Sequence, residues 1–372
     1  MKITDVKVFQ VGVNRQNWTF VKVETDGGIY GWGEGSLEGQ EKAVEEAVKV
    51  LSKRIIDMDP TLIERHWQVM YRHGFWRGGV VLNSALSAVD QALWDITGKV
   101  YGLPVYKLLG GAVRDKVKAY THAFAPDQAV SLVKEGYLGI KAGGMPFRGE
   151  QVEPKEVPSR LRESIKTLRE AVGPDIEIMI DNHGRSWPSL AIQQIRAVEE
   201  YNISFFEEPV PPDNIEALAE VRRNISGTDL ATGERLFSRW DYRRLIESQL
   251  VDIIQPDVCH CGGISELRRI AAAAETYYIR VAPHNPNGPV ATAASIQLSA
   301  AIPNFATLEY AVPPEEVMKV VKNPAKQAGG YFPIPDAPGL GIELDEEVMK
   351  QYPYIEKSYR GEYYRDGGIA DV

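Results

Sequence analysis

The chain has 372 residues, 44% of them hydrophobic and 25% charged, so it carries ample material for a core and exceeds one ordinary domain. A formal charge of −9 with no basic stripe argues against a nucleic-acid partner. No apolar run approaches the roughly 18 residues of a membrane span, so a membrane role is not expected. Residues 2–13, 18–26 and 30–34 alternate as strands, with Asp26-Gly27-Gly28 as a turn and residues 14–18 as a loop, which predicts an antiparallel sheet. The first residues read as a strand rather than a secretion signal. Helical spacing follows over 39–57, 61–73 and 82–100. The second helix runs into a polar and aromatic loop, His73 to Gly79, and Gly110-Gly111 closes a short helix. These elements predict an α+β domain over residues 1–115.

From Val117 the pattern becomes an alternation of strand and helix. Strands are expected at 118–121 and 139–141, and six more end in ionisable residues: Asp181, Glu207, Glu234, Asp257, His284 and Glu309. Their spacings of 23–27 residues match one strand, one crossover helix and two loops. Ionisable residues at the carboxyl ends of successive parallel strands are where a (β/α)8 barrel builds its active site. The predicted fold is therefore an α/β protein: a modified (β/α)8 barrel over 116–327 with an α+β N-terminal capping domain. The longer interval between Lys141 and Asp181 predicts an inserted loop from Gly143 onward. Residues 328–372 have no barrel pattern and are expected to return to the capping domain.

Asp181, Glu207 and Glu234 end three consecutive strands. One strand-end acid is usually a loop cap or an ion-pair partner, but three in phase make an all-oxygen site suited to Mg²⁺, one ion per subunit. Beside such an ion a substrate carboxylate can stabilise the charge left when its α-proton departs. His284 is the expected base, with Asp257 on the neighbouring strand orienting its ring. His183, two residues past Asp181, is expected to share its strand face and to act as general acid on a leaving hydroxyl. Glu309, if protonated, could donate a hydrogen bond to the substrate carboxylate. Lys141 could bind that carboxylate or pair with Asp181. Arg15, His73, Trp76 and Arg77 lie in capping-domain loops that could close over the substrate. Cys259-His260-Cys261 lacks a second ligand pair for zinc, and the two thiols stand too close for an easy disulfide, as in a reducing cytoplasm. Gly31-Trp32-Gly33-Glu34-Gly35 does not have dinucleotide-binding spacing.

Several of these motifs together resemble the enolase superfamily, mandelate racemase subgroup, and within it galactonate dehydratase and related acid-sugar dehydratases. They are Gly31-Trp32-Gly33-Glu34, Asp181-x-His183-Gly184-Arg185, Glu207-Glu208-Pro209, Gly233-Glu234-Arg235, Gln255-Pro256-Asp257 and Ala282-Pro283-His284. The resemblance implies a hydro-lyase that removes water from an aldonate such as galactonate, gluconate or a pentonate through an enediolate, giving a 2-keto-3-deoxy acid. It implies Asp181, Glu207 and Glu234 as Mg²⁺ ligands, His284–Asp257 as base dyad and His183 as acid. The second-strand Lys-x-Lys of racemases is here Lys141-Ala142-Gly143, which lacks the base for the opposite face. Epimerisation or cycloisomerisation on the same intermediate, and a sugar-acid-binding role, are the alternatives. A soluble homo-oligomer acting on a small acid-sugar substrate is expected.

Overall fold

A computed structural model describes residues 1–14, 16–147, 150–357 and 361–371. The capping domain opens with an antiparallel sheet of β1 (Ile3–Gly12), β2 (Asn17–Thr25) and β3 (Tyr30–Glu34). Three helices follow: α1 (Glu41–Ser52), α2 (Ile63–Arg72) and α3 (Val80–Tyr101), then the short α4 (Val105–Leu108). The expected helix over 39–57 stops at Ser52. Beyond it the chain turns back to β1, where Ile3 N–H donates to the Met58 carbonyl at 2.9 Å.

The glycines of β3 have a packing reason. Gly31, Gly33 and Gly35 face the backbone of Ala92, Ala88 and Ser84 on α3. Two strand residues advance about 6.7 Å and four helix residues about 6 Å, so the two spacings stay in step. The alternate residues Trp32 and Glu34 therefore point away from α3, and both are buried.

The barrel comprises β4 (Lys116–His122), α5 (Pro126–Lys134), β5 (Gly139–Gly143), α6 (Val157–Val172), β6 (Glu177–Asp181), α7 (Pro188–Val198) and β7 (Phe205–Glu207). It continues through α8 (Ile215–Asn224), β8 (Asp229–Thr232), α9 (Arg239–Glu247), β9 (Ile253–Ile254), α10 (Gly263–Glu275), β10 (Arg280–Val281), α11 (Pro289–Ala301) and β11 (Leu308–Glu309). Strands β4 to β10 pair in parallel in sequence order, β11 pairs with β4, and a parallel bridge between Val281 and Phe305 closes the ring. Inside, Tyr120, Met179, Phe205, Ala231, Ile253 and Ala282 form one apolar cluster. On four strands the residue two places further on is His122, Asp181, Glu207 or His284, so period-two alternation lifts these groups to the layer above that floor.

The segment after residue 327 does not simply return to the capping domain. β12 (Tyr331–Pro333) pairs antiparallel with β4 of the barrel. Residues 339–357, including α12 (Glu346–Met349), do reach the capping domain. Leu340 N–H donates to Asp95, Lys22 pairs with Glu346 at 2.6 Å, and Ile355 and Asn17 exchange two hydrogen bonds. The end of the chain then crosses to the insertion between β5 and α6. There Val152 and residues Tyr363 and Arg365 exchange backbone bonds, and Ala370 packs with Phe147 and Leu190. A tail rich in tyrosine and charge looks like surface in sequence, yet a few of its residues complete a small apolar cluster.

Gly33→Ala would drive a methyl into the Ala88 carbonyl across the β3–α3 contact. Because backbone on both sides must move, a loss of at least about 3 kcal/mol is expected, near the top of the range for overpacking. Thermal unfolding of the variant checks this.

Candidate active site at the barrel mouth

Each strand brings its group to the same end of the barrel. Asp181 and Glu207 are register partners on β6 and β7. Glu234 reaches them by a different route: Gly233, at φ +136, turns the chain directly after β8. A side chain at Gly233 would also strike Tyr242, whose hydroxyl donates to the Gly233 carbonyl at 2.5 Å. Ligand oxygens of Asp181, Glu207 and Glu234 lie within 4.8 Å of one another. The donor set is wholly carboxylate, and Glu234 Oε2 is buried with no hydrogen-bond partner. These three residues fit a hard divalent cation such as Mg²⁺, which takes oxygen ligands.

Lys141 sits among them. Its Nζ lies 3.0 Å from Asp181 Oδ2, 3.2 Å from Glu207 and 2.6 Å from Glu309 Oε1. The expected pairing with Asp181 extends to three acids. Burial opposes its charge, but the three carboxylates outweigh burial and hold its pKa well above the ordinary lysine value. Burial also raises the acids, and here the two register partners part ways. Lys141 and His183 outweigh burial at Asp181, which stays well below its usual value. Burial and then the Asp181 charge push Glu207 well above its own. Burial takes Glu234 to about 7 against the pull of His284.

His284 donates or accepts through Nδ1 at 2.7 Å from Asp257 Oδ2, while its Nε2 lies 3.7 Å from Glu234 and 3.9 Å from Glu309. Asp257 also accepts from Asn287 Nδ2 at 2.8 Å and from Cys259 N–H at 2.6 Å. With Asp257 ionised, Nδ1 carries the hydrogen and Nε2 faces the acids. Burial would lower the pKa of His284; Glu234, Glu309 and the Asp257 hydrogen bond together raise it well above the ordinary value.

His183 reaches Asp181 by a turn rather than by the strand pleat. β6 ends at Asp181, and His183 adopts φ +49, with its N–H on Asp181 Oδ1 and its Nε2 3.0 Å from Asp181 Oδ2. Arg235 holds this conformation by donating to the His183 carbonyl and to both oxygens of buried Glu208. The Asp181 charge, against burial, raises the His183 pKa. β6 and β10 stand four strands apart in a ring of eight, so His183 and His284 approach from opposite sides.

Glu309 gathers its own set of partners. Lys141, His122 Nε2 at 2.5 Å and Asn285 N–H at 3.1 Å all converge on its two oxygens. Against burial, Lys141, His284 and His122 hold it well below the usual carboxylate range. In this arrangement its oxygens accept from Asn285 N–H and pair with Lys141. His122 was missed in the sequence, although Tyr120-Thr121-His122 has the same i, i+2 pattern as Met179 to Asp181. Glu208 and Arg235 stood inside the quoted motifs without an assigned task.

The capping-loop residues are less engaged. Arg15 lies outside the described residues. His73 is exposed, and Trp76 is 83% exposed with its ring edge-on to Phe75. Neither makes a described contact with the strand-end groups. The loop does open at the barrel mouth, because Asn83 just beyond it donates to the Phe237 carbonyl and Ser84 bonds His260 at 2.8 Å. Cys259 and Cys261 are buried free thiols, and burial raises both. A separate open cleft of about 870 Å³ between α2, α3 and α10 contains none of these groups.

Residues 2–110 match the mandelate racemase / muconate lactonizing enzyme N-terminal domain, and residues 125–348 match the enolase C-terminal domain-like family. The chain belongs to this enolase-superfamily group. It is 38% identical to a D-galactonate dehydratase from Ralstonia pickettii (strain 12J), with 100% of both chains covered. It is also 38% identical to one from Cronobacter sakazakii (strain ATCC BAA-894), again over 100% of each. Among solved structures, an enolase from Agrobacterium radiobacter bound to sodium and L-malate superposes with a TM-score of 0.94. That protein is 34% identical, with 100% of both chains covered. Membership accounts for the two matched domains.

Asp257→Asn removes one of the negative charges that hold the His284 pKa up. The His284 pKa is expected to fall, and a histidine-selective ¹⁵N NMR titration of wild type and variant measures the shift.

Proposed function

We propose that this protein is a sugar-acid dehydratase, a hydro-lyase that converts an aldonic acid to its 2-keto-3-deoxy acid. The observation that carries the reading is the placement of two imidazoles on opposite sides of one carboxylate triad, with only one of them backed by a carboxylate on the neighbouring strand. The full-length likeness to two D-galactonate dehydratases supports it. Asp181, Glu207 and Glu234 would hold Mg²⁺, which supplies positive charge to the substrate carboxylate and so acidifies the neighbouring C–H.

His284 takes the α-proton at Nε2, because Nδ1–H is committed to Asp257. The electron pair of that C–H bond becomes the C2–C3 double bond as the 3-hydroxyl departs. His183, whose Nε2 lies 3.0 Å from Asp181 Oδ2, gives its proton to that hydroxyl, which leaves as water. The enol then tautomerises to the 2-keto acid, so the net change is loss of one water. Lys141 offsets negative charge at the triad and at Glu309, and Glu309 in turn orders His122 and Asn285 around the substrate. Arg15, His73 and Trp76 belong to the capping loops that would close over the distal hydroxyls. The second-strand position that would hold an opposing base is Gly143, and no observation favours epimerisation. No helix among the described residues is long and apolar enough to cross a membrane. A cytoplasmic homo-oligomer is part of the reading, and light scattering on the purified protein tests the oligomer.

Incubation of Mg²⁺-loaded protein with C5 and C6 aldonic and aldaric acids, with detection of the 2-keto-3-deoxy product, tests the reading. One acid is expected to turn over and to stop with EDTA. His284→Asn and His183→Asn are each expected to lose about 10²- to 10⁴-fold in kcat, the usual range for a proton-transfer group. Silence across the panel with metal bound would overturn the reading.

Metal affinity carries a pH signature. Glu234 must shed its proton to bind, and it titrates at about 7. Mg²⁺ affinity measured calorimetrically is therefore expected to be tighter at pH 8 than at pH 6. Glu234→Gln should weaken the affinity and reduce this slope, leaving the part contributed by Glu207, whose pKa is also raised. At 100 times Kd, Mg²⁺ should stabilise the native protein by about 2.7 kcal/mol.

A further inference from the structure

The two loops that carry the base dyad are held by the other domain. Asp257 lies five residues before Gly262, the N-cap of α10, and His284 lies four before Gly288, the N-cap of α11. A helix start leaves N–H groups without partners, and a glycine cap has no side chain to satisfy them. Neither helix has a side-chain cap of its own.

The capping domain supplies both. Glu34, at the end of β3, accepts from Gly288 N–H at 2.6 Å, Val290 N–H at 3.1 Å and Ala291 N–H at 2.9 Å. Asp90, on α3, accepts from Ser265 N–H at 3.0 Å and from its hydroxyl at 2.6 Å. Both carboxylates are fully buried. Neighbours on α3 continue the same contact: Ser87 accepts from Gly262 N–H and Gln91 donates to the Val258 carbonyl. On the other loop, Gln16 donates to the Pro286 carbonyl. Asn287, next to Gly288, is the residue that bonds Asp257 Oδ2 beside His284. Each partner of the dyad therefore sits in a short span whose far end is pinned by a carboxylate from across the domain boundary.

We propose that Glu34 and Asp90 are positioning residues for proton abstraction: they cap α10 and α11 in trans between domains, and so align Asp257 with His284 only while the capping domain is seated. The catalytic consequence rests on the dehydratase reading, but the alignment itself does not. A capping domain that only covers the substrate would set KM; one that also sets the dyad would act on kcat.

The test compares full-length, Mg²⁺-loaded Glu34→Gln and Asp90→Asn with Asp95→Asn. Asp95 is also a buried α3 carboxylate, but it bonds Trp32 N–H, Leu340 N–H and Lys99, away from both dyad loops. Glu34→Gln and Asp90→Asn are expected to lose about 10- to 100-fold in kcat, the effect of a small misplacement at the reacting centre. Their KM should stay within about threefold, and Glu34→Asp should recover part of the loss. Asp95→Asn should lower the melting temperature but keep kcat. In protein labelled with ¹⁵N-histidine, the downfield Nδ1–H signal of His284 should shift or broaden in the first two variants and persist in the third. If either charge-removing variant fails to fold, Ser265→Ala, which removes one of Asp90's two bonds, takes its place and should move the same signal by less. An unmoved His284 signal, or equal losses of kcat in Asp95→Asn and Glu34→Gln, overturns the proposal. Absence of turnover in the wild type would instead strike the dehydratase reading and leave the NMR comparison intact.

Discussion

Repulsion among four carboxylates is the constraint on which this structure turns. Asp181, Glu207, Glu234 and Glu309 share one barrel mouth, and Lys141 touches three of them from the middle. Away from water, like charges at such separations cost far more than they would in solution. The protein answers with one buried ammonium and the imidazoles of His122, His183 and His284, and a balance so poised makes room for a divalent cation. The same crowding separates the titration of neighbouring acids, which lets a single mouth hold an ionised Asp181 beside a Glu234 near neutrality. It also raises the pKa of both His284 and His183 against the pull of burial.

Holding those groups in place is shared between the domains. The barrel fixes the metal-ligand side by strand register, β6 against β7, with Arg235 and Glu208 locking the turn that carries His183. The base side has less of its own support, since β9 and β10 are two residues long. There the capping domain takes part, and the glycines of β3 are what permit it. They let the strand lie directly on α3, which leaves Glu34 facing α11. The motif that looked like a failed nucleotide loop is a packing device.

The parts of the site visible in sequence were those that recur with the βα period. Asp181, Glu207, Glu234, Asp257, His284 and Glu309 each end an apolar run, and the barrel brings all six to one mouth. What escaped notice depends on partners distant in sequence. His122 ends its strand in the same phase, but its meaning lies in Glu309, 187 residues away. Glu34 and Asp90 cap helices more than 170 residues further along, and nothing local distinguishes them from ordinary strand and helix acids. His183 was placed correctly beside Asp181 for an incorrect reason, because a left-handed turn rather than alternation brings it there. The tail was expected on the capping domain, but Ala370 and a few backbone bonds dock its end on the insertion after β5.

The apolar floor beneath the strand-end layer has an evolutionary consequence. Tyr120, Met179, Phe205, Ala231, Ile253 and Ala282 seal the barrel interior beneath the reacting groups. The upper layer carries the reacting groups and the floor carries the apolar packing, with Tyr120 touching both through Lys141. Such a scaffold can exchange its reacting groups strand by strand, each exchange screened by selection on its own. Lineages built on it can diverge in chemistry above a retained floor, provided the charge on Lys141 stays matched.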